Sequence, residues 1–322
     1  MDLAGLRVVK AVADTGSVSR AAESLHCVQS NVTARIKRLE EDLGVDLFLR
    51  LSRGMEPTPA GRVLAGYADR VLRLVAQARD AVAEAAGRGG RLAIGSMEST
   101  AAVRLPRLLA RFHRDHSDVE LTITPGPSET LLGEVLAGRL DGAFVGGEVA
   151  HPDLTAQHVF DEELVLVEPA AGLTTDSARR TLIAFGRACA YRGRAEMAMR
   201  EAGRVPFRIM EFGALDAILG CVGAGMGVTV MPRSVAERDP WRDLLAARPL
   251  PDGLARMPTR FVRRTDAIET ASLRAFVEAV SDETAKDGAA KGRQIDPAMN
   301  SLAPATGTPT SRTGLNGLSA AC

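Results

Sequence analysis

The chain has 322 residues and carries 40 Lys and Arg against 40 Asp and Glu, so its formal net charge is zero. This balance argues against a nonspecific nucleic-acid coat and against a membrane-surface protein, although one basic face would suffice for a DNA-binding protein. Hydrophobic residues make up 46% of the chain and charged residues 25%; these values are typical of a folded protein with a substantial core, and the length predicts more than one domain.

The sequence contains no targeting or membrane signal. Arg7, Lys10 and Asp14 interrupt the N-terminal stretch, which therefore lacks the apolar core of a signal peptide. No run reaches the roughly 18 apolar residues that a membrane-spanning helix needs. We expect a cytoplasmic protein with reduced thiols, no metal, no cofactor and no membrane partner, because the cysteines form no Cys-x-x-Cys pair. They are Cys27, Cys189, Cys221 and Cys322.

The N-terminal residues predict three short helices. Residues 2–15 form an amphipathic helix that Gly16 ends. Ser17 is a suitable N-cap for a second helix, because its hydroxyl can accept from an unpaired amide in the first turn. A break at residues 26–27 separates that helix from a third. The second and third helices together span Ser17 to Glu40.

The third helix predicts a DNA-reading surface. Val32, Ile36 and Leu39 share one face at helical spacing. The other face carries amides, hydroxyls and cations, which pair with base edges and phosphates in a major groove. Two packed helices with such an outer face are the layout of a helix-turn-helix; the alternative is two surface helices with a solvated polar face. The candidate DNA-contacting residues here are Ser17, Gln29, Ser30, Asn31, Thr33, Arg35 and Lys37.

A small wing is predicted beside the third helix. Residues 47–49 form a short apolar strand, Arg53 and Gly54 a turn, and residues 55–57 the returning strand. Arg50 and Arg53 would then be placed to contact the phosphate backbone. We therefore predict an all-α winged helix-turn-helix domain over residues 1–58.

A long helix is predicted from Pro59 to about Ala86, because Thr58 is an N-cap and Pro suits the first helical position. Apolar residues recur along it in alternating steps of four and three, the heptad spacing of a coiled coil. This pattern predicts a dimerisation helix; the alternative is a helix packed on its own domain. Residues 87–90 are a flexible hinge by composition and complete a linker over residues 59–90. The dimerisation residues are Leu64, Ala68, Val71, Val75, Ala78 and Val82.

Residues 91–281 alternate strands with helices, which predicts an α/β domain with mainly parallel sheets. Strands crossing between two halves would make a clamshell, with lobe I at about 91–160 plus 264–281 and lobe II at about 161–263. Large apolar residues become scarce from residue 282, so 282–322 is predicted to be a disordered tail. The predicted strands are 91–96, 119–124, 140–145, 164–167, 181–185, 208–212, 228–231 and 260–263, and the helices are 99–114, 128–138, 191–202 and 215–224.

A ligand site is predicted in the crevice of the clamshell, where helix N-termini and strand ends face each other. Ser99, Thr100 and Ser128 lie at helix N-termini, Ser128 as a cap, and their hydroxyls suit a carboxylate or phosphate. Across the crevice, Arg192 could hold an anion with its guanidinium fork. The alternative is that the hydroxyls are only caps and Arg192 is a surface cation. The candidate effector-binding residues are Ser99, Thr100, Ser128, Cys189, Arg192 and Phe212.

No catalytic motif is recognisable in the sequence. The glycines at 223–227 close a helix and precede a strand, which is the reverse of the order in a dinucleotide-binding loop. His113 and His116 lack further metal ligands at a readable spacing. The sequence contains no nucleophile elbow, P-loop or HExxH motif, so we do not expect an enzyme.

One ordered set of residues carries a family resemblance. It comprises Ser17, Ala21, Ala22, Leu25, Gln29, Ile36, Leu39, Glu40, Leu43, Gly44, Leu47, Phe48, Arg50, Arg53, Gly54, Thr58, Ala60 and Gly61. This set resembles the DNA-binding domain of the LysR-type transcriptional regulators. The family commonly has Ser at the position of Val28, Pro at that of Ser30 and often a basic residue near Ala34. The operator sequence therefore cannot be transferred from relatives.

The resemblance covers about residues 3–281 and implies a linker-helix dimer and a two-lobed, periplasmic-binding-protein-like effector domain. We expect a LysR-type regulator whose binding to double-stranded promoter DNA is modulated by a small, anionic effector. It would form a homodimer or a homotetramer, and RNA polymerase is a candidate further partner. One alternative is a thiol-based redox regulator that uses Cys189 and Cys221. Another is an α/β enzyme with an accessory DNA-binding domain.

Overall fold

The structure is a computed structural model that describes residues 1–52 and 54–292, with side chains described to residue 285. Met1–Thr284 forms one compact unit, and a second unit begins at Ala285. The N-terminal domain, the linker helix and both lobes belong to the first unit. The predicted phosphate contact of Arg53 and most of the predicted tail, including Cys322, lie outside the described residues.

The N-terminal domain folds as predicted because side chains and glycine cap its helix ends. The Asp2 carboxylate accepts from the Gly5 amide at 2.7 Å, and Gly16 ends the first helix with a φ of 62°. Ser17 caps the second helix by accepting from the Arg20 amide at 3.4 Å. The elements are helices α1 (Leu3–Thr15), α2 (Val18–Ser24) and α3 (Gln29–Leu43) and the antiparallel strands β1 (Phe48–Leu51) and β2 (Gly54–Pro57).

The buried face of α3 is the one that the residue spacing predicted. Val32, Ile36 and Leu39 are at most 4% exposed and join the apolar core of the domain. Glu40 fastens the hairpin to α3, because its carboxylate accepts from the Leu47 amide at 2.8 Å. The reading helix and the wing are thus held together by a half-buried charge-assisted hydrogen bond as well as by apolar packing.

The tip of the hairpin touches the corner between α1 and α2. The Met55 amide donates to the Gly16 carbonyl at 2.9 Å. Gly54, with a φ of 119°, is required there, because a Cβ would lie 2.5 Å from the same carbonyl oxygen. The wing is therefore positioned by the backbone of the first two helices.

The linker helix, α4 (Pro59–Ala85), begins as predicted. Thr58 caps it by accepting from the Gly61 amide at 3.0 Å, and Pro59 occupies the first turn. The helix packs against α1, and Ala68 is fully buried. One side of its first turns therefore belongs to the N-terminal domain.

The glycines that follow α4 do not form the predicted flexible hinge. Gly90 is buried, and a Cβ there would lie 1.7 Å from the Ser272 Oγ. A Cβ on Gly89 would lie 2.4 Å from the Asp118 carbonyl oxygen. The prediction from composition was wrong for these two glycines, because the lack of a Cβ lets them make a packed junction with Asp118 and Ser272. Gly87 and Arg88, before them, are exposed.

The remaining elements alternate as predicted up to β11, but β10, three short helices and the long C-terminal helix were not predicted. The predicted helix 99–114 is divided at Arg104, before Pro106. The elements are β3 (Arg91–Ser96), α5 (Glu98–Val103), α6 (Leu105–Asp115), β4 (Glu120–Pro125), α7 (Ser128–Leu136), β5 (Gly142–Gly146), β6 (Leu154–Pro169), α8 (Asp176–Arg179), β7 (Thr181–Ala184), α9 (Arg192–Glu201), β8 (Arg208–Glu211), α10 (Leu215–Gly223), β9 (Thr229–Pro232), α11 (Arg233–Ala236), β10 (Leu245–Pro249), α12 (Asp252–Ala255), β11 (Arg256–Arg264) and α13 (Ala271–Gly292).

Strands β6 and β11 run antiparallel to each other, cross between the lobes and determine the sheet topology. In lobe I, β4, β3 and β5 run parallel, whereas β11 is antiparallel to β5 and to β6. In lobe II, β9 and β10 pair antiparallel with β6, and β7 pairs parallel with β8. The sheets are mixed and not mainly parallel as predicted, because β6 and β11 run in opposite directions. The two-lobed α/β architecture is confirmed.

Each lobe has its own apolar core. In lobe I, the rings of Phe112, Phe144, Phe261 and Phe276 form contacts with centroid separations between 5.0 and 6.4 Å. In lobe II, residues of β6, β7, β9 and α10 surround a second cluster. Each lobe can therefore move as a packed body.

The C-terminal helix α13 extends through Gly292, so the predicted disordered tail begins too early. Arg111 of α6 lies 3.7 Å from Glu283, and the Thr284 hydroxyl donates to the Val280 carbonyl at 3.1 Å. These polar contacts continue the helix where the composition is poor in large apolar residues.

Glu84, in the last turn of α4, caps α13. Its Oε1 atom accepts from the Ser272 amide at 2.5 Å and from the Ser272 hydroxyl at 2.6 Å. Ser272 lies in the first turn of α13 and is buried. The amides of a first turn have no partner within the helix, and negative charge is favourable there. The carboxylate therefore joins the linker helix directly to lobe I.

We expect Glu84→Ala to lower the free energy of unfolding by about 1–2 kcal/mol, the usual cost of a lost cap. Glu84→Gln should cost less, because its amide oxygen still accepts hydrogen bonds. Urea denaturation followed by circular dichroism measures the effect, with Glu278→Ala, at an exposed position of α13, as the control. Equal midpoints for Glu84→Ala and the control would contradict the capping role.

Candidate DNA-binding face and effector cleft

The outer face of α3 is available to a ligand. Arg35 lies 3.5 Å from Asp2, and Lys37 lies 3.6 Å from Glu41. Exposed ion pairs of this kind contribute only about 0–1 kcal/mol, so DNA phosphates can replace the carboxylates. Thr33 is half-buried, and the exposed members of the predicted set are Gln29, Ser30, Asn31, Arg35 and Lys37.

The turn between α2 and α3 is tight. His26 adopts a left-handed φ of 52°, and the amide of Cys27 donates to the Ala22 carbonyl at 3.0 Å. The four residues 25–28 therefore turn the chain and place α3 against α2, as the predicted break required.

Of the other predicted DNA-contacting residues, some are free to reach DNA and some are already engaged within the protein. The Ser17 hydroxyl is used as the cap of α2, whereas Arg50 is exposed on β1. The sequence reasoning missed two further exposed cations, Arg20 on α2 and Arg38 on α3. Arg38 follows Arg35 by three residues, so helical spacing could have found it.

The predicted seam on α4 is divided by the fold. Ala68 cannot contact a partner because it is fully buried, and Leu64 packs half-buried against the core of the N-terminal domain. The seam prediction was wrong in these first turns, because α1 covers one side of α4 there. The other predicted members are the exposed residues Val71, Ala78 and Val82 and the half-buried Val75.

An adjacent row of apolar side chains on α4 is exposed instead. Val63, Tyr67 and Leu74 are 62%, 59% and 54% exposed. Together with Val71, Ala78 and Val82 they continue at steps of three and four, and this set is called the linker row below. The row borders an apolar groove of about 670 Å³ between α4 and the N-terminal domain. An exposed apolar strip of this length is typical of an interaction surface.

The crevice between the lobes is closed over α5. The Ser99 hydroxyl of lobe I lies 3.0 Å from the Tyr191 hydroxyl of lobe II. Ser99, Thr100 and Tyr191 are all at most 3% exposed. Tyr191 was missed by the sequence reasoning, although it stands between the predicted residues Cys189 and Arg192. A single aromatic residue in the sequence gives no indication that its side chain contacts the other lobe.

Ser128 is not the predicted helix cap. Pro127 occupies the cap position of α7, and the Ser128 hydroxyl accepts from the Gly146 amide at 3.1 Å. Ser128 is buried. It therefore joins the start of α7 to the end of β5, at the edge of lobe I that carries Ser99 and Thr100.

Arg192 is not a free anion clamp. Its Nη1 atom lies 2.6 Å from Glu211 and 3.3 Å from the Phe185 carbonyl, and its Nε atom lies 3.0 Å from Glu196. The hydrogen bond that Arg192 donates to the Glu211 carboxylate is the main cause of the raised pKa of Arg192. The anion-clamp prediction was wrong, because two carboxylates of lobe II already neutralise this guanidinium.

Cys189 and Phe212 belong to the packing of lobe II. Both are half-buried against its core, as is Cys221. Burial raises the pKa of the Cys189 thiol, whereas a redox-active cysteine needs a lowered pKa. The described cysteines, Cys27, Cys189 and Cys221, are free thiols. This environment argues against the redox alternative.

Glu98 makes a second contact across the crevice. It lies in the first turn of α5, and its carboxylate accepts a hydrogen bond from the Leu215 amide at the N-terminus of α10. Burial raises the pKa of the Glu98 carboxyl, and this hydrogen bond partly opposes the shift. A lobe I carboxylate therefore serves as the cap of a lobe II helix that has no capping side chain of its own.

A third contact lies at the crossing strands. Both carboxylate oxygens of Glu162, on β6, accept from Arg104, at 2.8 and 3.1 Å. Ser234 of α11 donates to the same carboxylate at 3.4 Å. Glu162 is 3% exposed. This buried carboxylate thus binds one residue of lobe I and one of lobe II.

Within the described part of the chain, no cluster of His, Cys, Asp and Glu side chains is arranged to hold a metal ion. The same residues include no helix with the length and apolarity needed to cross a membrane.

Two family models match the chain. The model "Bacterial regulatory helix-turn-helix protein, lysR family" matches residues 3–62, and the model "LysR substrate binding domain" matches residues 85–285. The transcriptional regulator GltR of Bacillus subtilis is 39% identical over 286 residues, which cover 88% of this chain and 97% of GltR. YofA of the same organism is 37% identical over 88% of this chain and 99% of its own length.

A solved structure with bound DNA has the same fold. Full-length CbnR complexed with its target DNA superposes with a TM-score of 0.66 at 26% identity, over 88% of this chain and 100% of that chain. Both parts of the chain, in the same order, thus match one family. The chain belongs to the LysR family of DNA-binding transcriptional regulators, with an N-terminal helix-turn-helix domain and a C-terminal substrate-binding domain.

Proposed function

We propose that this regulator acts on promoter DNA in the cytoplasm, reads it with α3, pairs through the linker row and responds to a small molecule in the crevice. The observation that carries the proposal is the amphipathic form of α3. Its apolar side is fixed in the core and its polar side is exposed, which is the arrangement needed to enter a major groove.

The side chains on α3 suit base and phosphate contacts. Gln29 and Asn31 can bond an adenine edge bidentately, and Arg35 can bond a guanine edge or a phosphate. Lys37 and, on the wing, Arg50 are proposed phosphate contacts. Ser30 and Thr33 supply hydroxyls to the same surface. The proposed contact of Arg53 is kept as a prediction.

The linker row is the proposed dimer surface, with a second copy of this chain as its occupant. CbnR, the DNA-bound relative, matches over its whole length, and LysR regulators form oligomers. A row of exposed apolar residues at steps of three and four is suited to pairing with an identical helix. Assembly into a homotetramer and contact with RNA polymerase are further parts of this proposal.

The proposed effector is a small molecule that reaches the hydroxyls of Ser99, Thr100 and Ser128. Arg192 does not supply a free cation there, because Glu196 and Glu211 pair with it. Hydroxyl recognition therefore supports a ligand with a hydroxyl or carboxyl oxygen more than a strongly anionic one. A ligand would regulate DNA binding only if it bound one arrangement of the lobes more tightly than the other.

Loss of a reading-helix cation should weaken DNA binding without unfolding the domain. We expect Arg35→Ala to cost about 1–3 kcal/mol of promoter affinity and to reduce the salt dependence of binding. Gln29→Ala should relax sequence preference more than it lowers nonspecific affinity. Arg114→Ala, which removes an exposed cation from α6, is the control for net charge. Unchanged footprints for both α3 variants would show that another face reads the DNA.

A charge in the linker row should separate the subunits. Leu74→Glu and Tyr67→Glu place a carboxylate that would have to be desolvated in the dimer, so sedimentation velocity at micromolar concentration should show monomers. Arg79→Glu, at an exposed position of the same helix, is the control. The dimer surface lies elsewhere if the Leu74→Glu and Tyr67→Glu proteins sediment like the parent chain.

A further inference from the structure

Tyr191 occupies the place in the crevice where the proposed effector would meet its hydroxyl partners. We infer that Tyr191 is an internal plug: its phenol binds the Ser99 site in the effector-free chain, and an effector has to displace it. This inference rests on the proposed function, which assigns the effector to the crevice, and it names the residue that competes with the effector.

The phenol is buried against hydroxyls of the opposite lobe. Its oxygen lies 3.0 Å from the Ser99 Oγ, and Thr100, the next residue, is 1% exposed. Burial raises the pKa of Tyr191, so the phenol keeps its proton. A neutral phenol can both donate and accept, as a hydroxyl of a bound ligand would.

The turn that carries Tyr191 is fixed by the residue that follows it. Arg192 is held by Glu196 within α9 and by Glu211 at the end of β8. These ion pairs fix the start of α9 and with it the backbone of Tyr191. Arg192 is therefore a positioning residue for the plug, which gives a physical reason for a buried guanidinium beside the crevice.

The surrounding backbone leaves little space beside the plug. A Cβ on Gly146, at the end of β5, would lie 3.1 Å from the Ala190 Cβ and 3.1 Å from the Met97 Sδ. The loop before Tyr191 thus packs directly on a strand end of lobe I. A ligand that hydrogen-bonds Ser99 has to take the position of the phenol.

The displaced side chain defines the chemistry of the ligand. A replacement has to bring an oxygen that hydrogen-bonds the Ser99 hydroxyl and an apolar body that fills the space of the ring. The negative charge of Glu162 acts on the Tyr191 phenol and helps to raise its pKa, so it also disfavours a full negative charge on a ligand that takes the place of the phenol. The ligand class is therefore a small hydroxylated or weakly acidic molecule with an apolar body.

The role of Tyr191 as a plug can be tested by removing its ring from the full chain and measuring whether small molecules bind in the resulting cavity. Tyr191→Ala should bind phenol saturably in calorimetric titration, and roughly fivefold or more tightly than toluene, because only phenol hydrogen-bonds the freed hydroxyls. The parent chain should bind neither probe. Phe207→Ala, which removes a half-buried aromatic ring from the same lobe, is the matched control and should not bind phenol.

Two outcomes overturn the plug: phenol binding to Tyr191→Ala no more tightly than toluene, or phenol binding equally to Phe207→Ala. Gel shifts with promoter DNA separate this inference from the proposed function. If phenol binds Tyr191→Ala as expected but leaves its promoter affinity unchanged, the plug is supported and the coupling of the crevice to DNA fails.

A milder variant covers the case in which Tyr191→Ala does not fold. Tyr191→Phe keeps the ring and removes only the hydroxyl. Tyr191→Phe and Ser99→Ala should each raise the equilibrium constant of unfolding roughly two- to tenfold, the effect of one hydrogen bond. The double variant should be no worse than either single one, because both changes remove the same bond. Additive effects would overturn the plug.

Discussion

The docking of α5 onto lobe II is the contact on which the effector region depends. A six-residue helix is not stable by itself in water, so α5 persists because lobe II holds it. Ser99 meets Tyr191, Glu98 caps α10, and Arg104, at its end, pairs with Glu162. All three are polar contacts in a largely buried setting, where an unpaired partner would be costly. The lobes therefore have a defined closed arrangement.

This contact is connected to the DNA-binding domain through a short and rigid path. α5 follows β3, and β3 follows Gly89 and Gly90, which are packed closely against Asp118 and Ser272. Glu84 then links the end of α4 to α13, whose Phe276 lies in the core of lobe I. Through the hydrogen bonds between Glu84 and Ser272, a change in lobe arrangement can reach α4 directly. Because α4 carries the linker row, which is the proposed dimer surface, such a change would alter how the two reading helices of that dimer are spaced on DNA.

Local sequence signals predicted most helices and strands but missed α13, β10 and the three short helices. Contacts between residues distant in the sequence could not be predicted. Ser17 and Thr58 cap helices as expected because a cap acts within one turn. Arg192 shows the opposite case. Glu196 follows it by four residues on the same helix, so this ion pair could be predicted. Glu211 lies at the end of β8, so its contact with Arg192 could not. The predicted coiled-coil seam on α4 was wrong at Ala68. The spacing of apolar residues identifies an apolar face of a helix but does not show which part of the protein packs against that face. Tyr191 was missed because its partner is on another lobe.

Hydrogen–deuterium exchange of the parent chain without any ligand tests the closed crevice most directly. If lobe II holds α5, the amides of residues 101–104 should exchange as slowly as those of the neighbouring strand β3, far more slowly than a free six-residue helix would allow. Exchange as fast as that of Ala171, in an exposed turn, would show that α5 is undocked and the crevice open in solution, which would contradict this account.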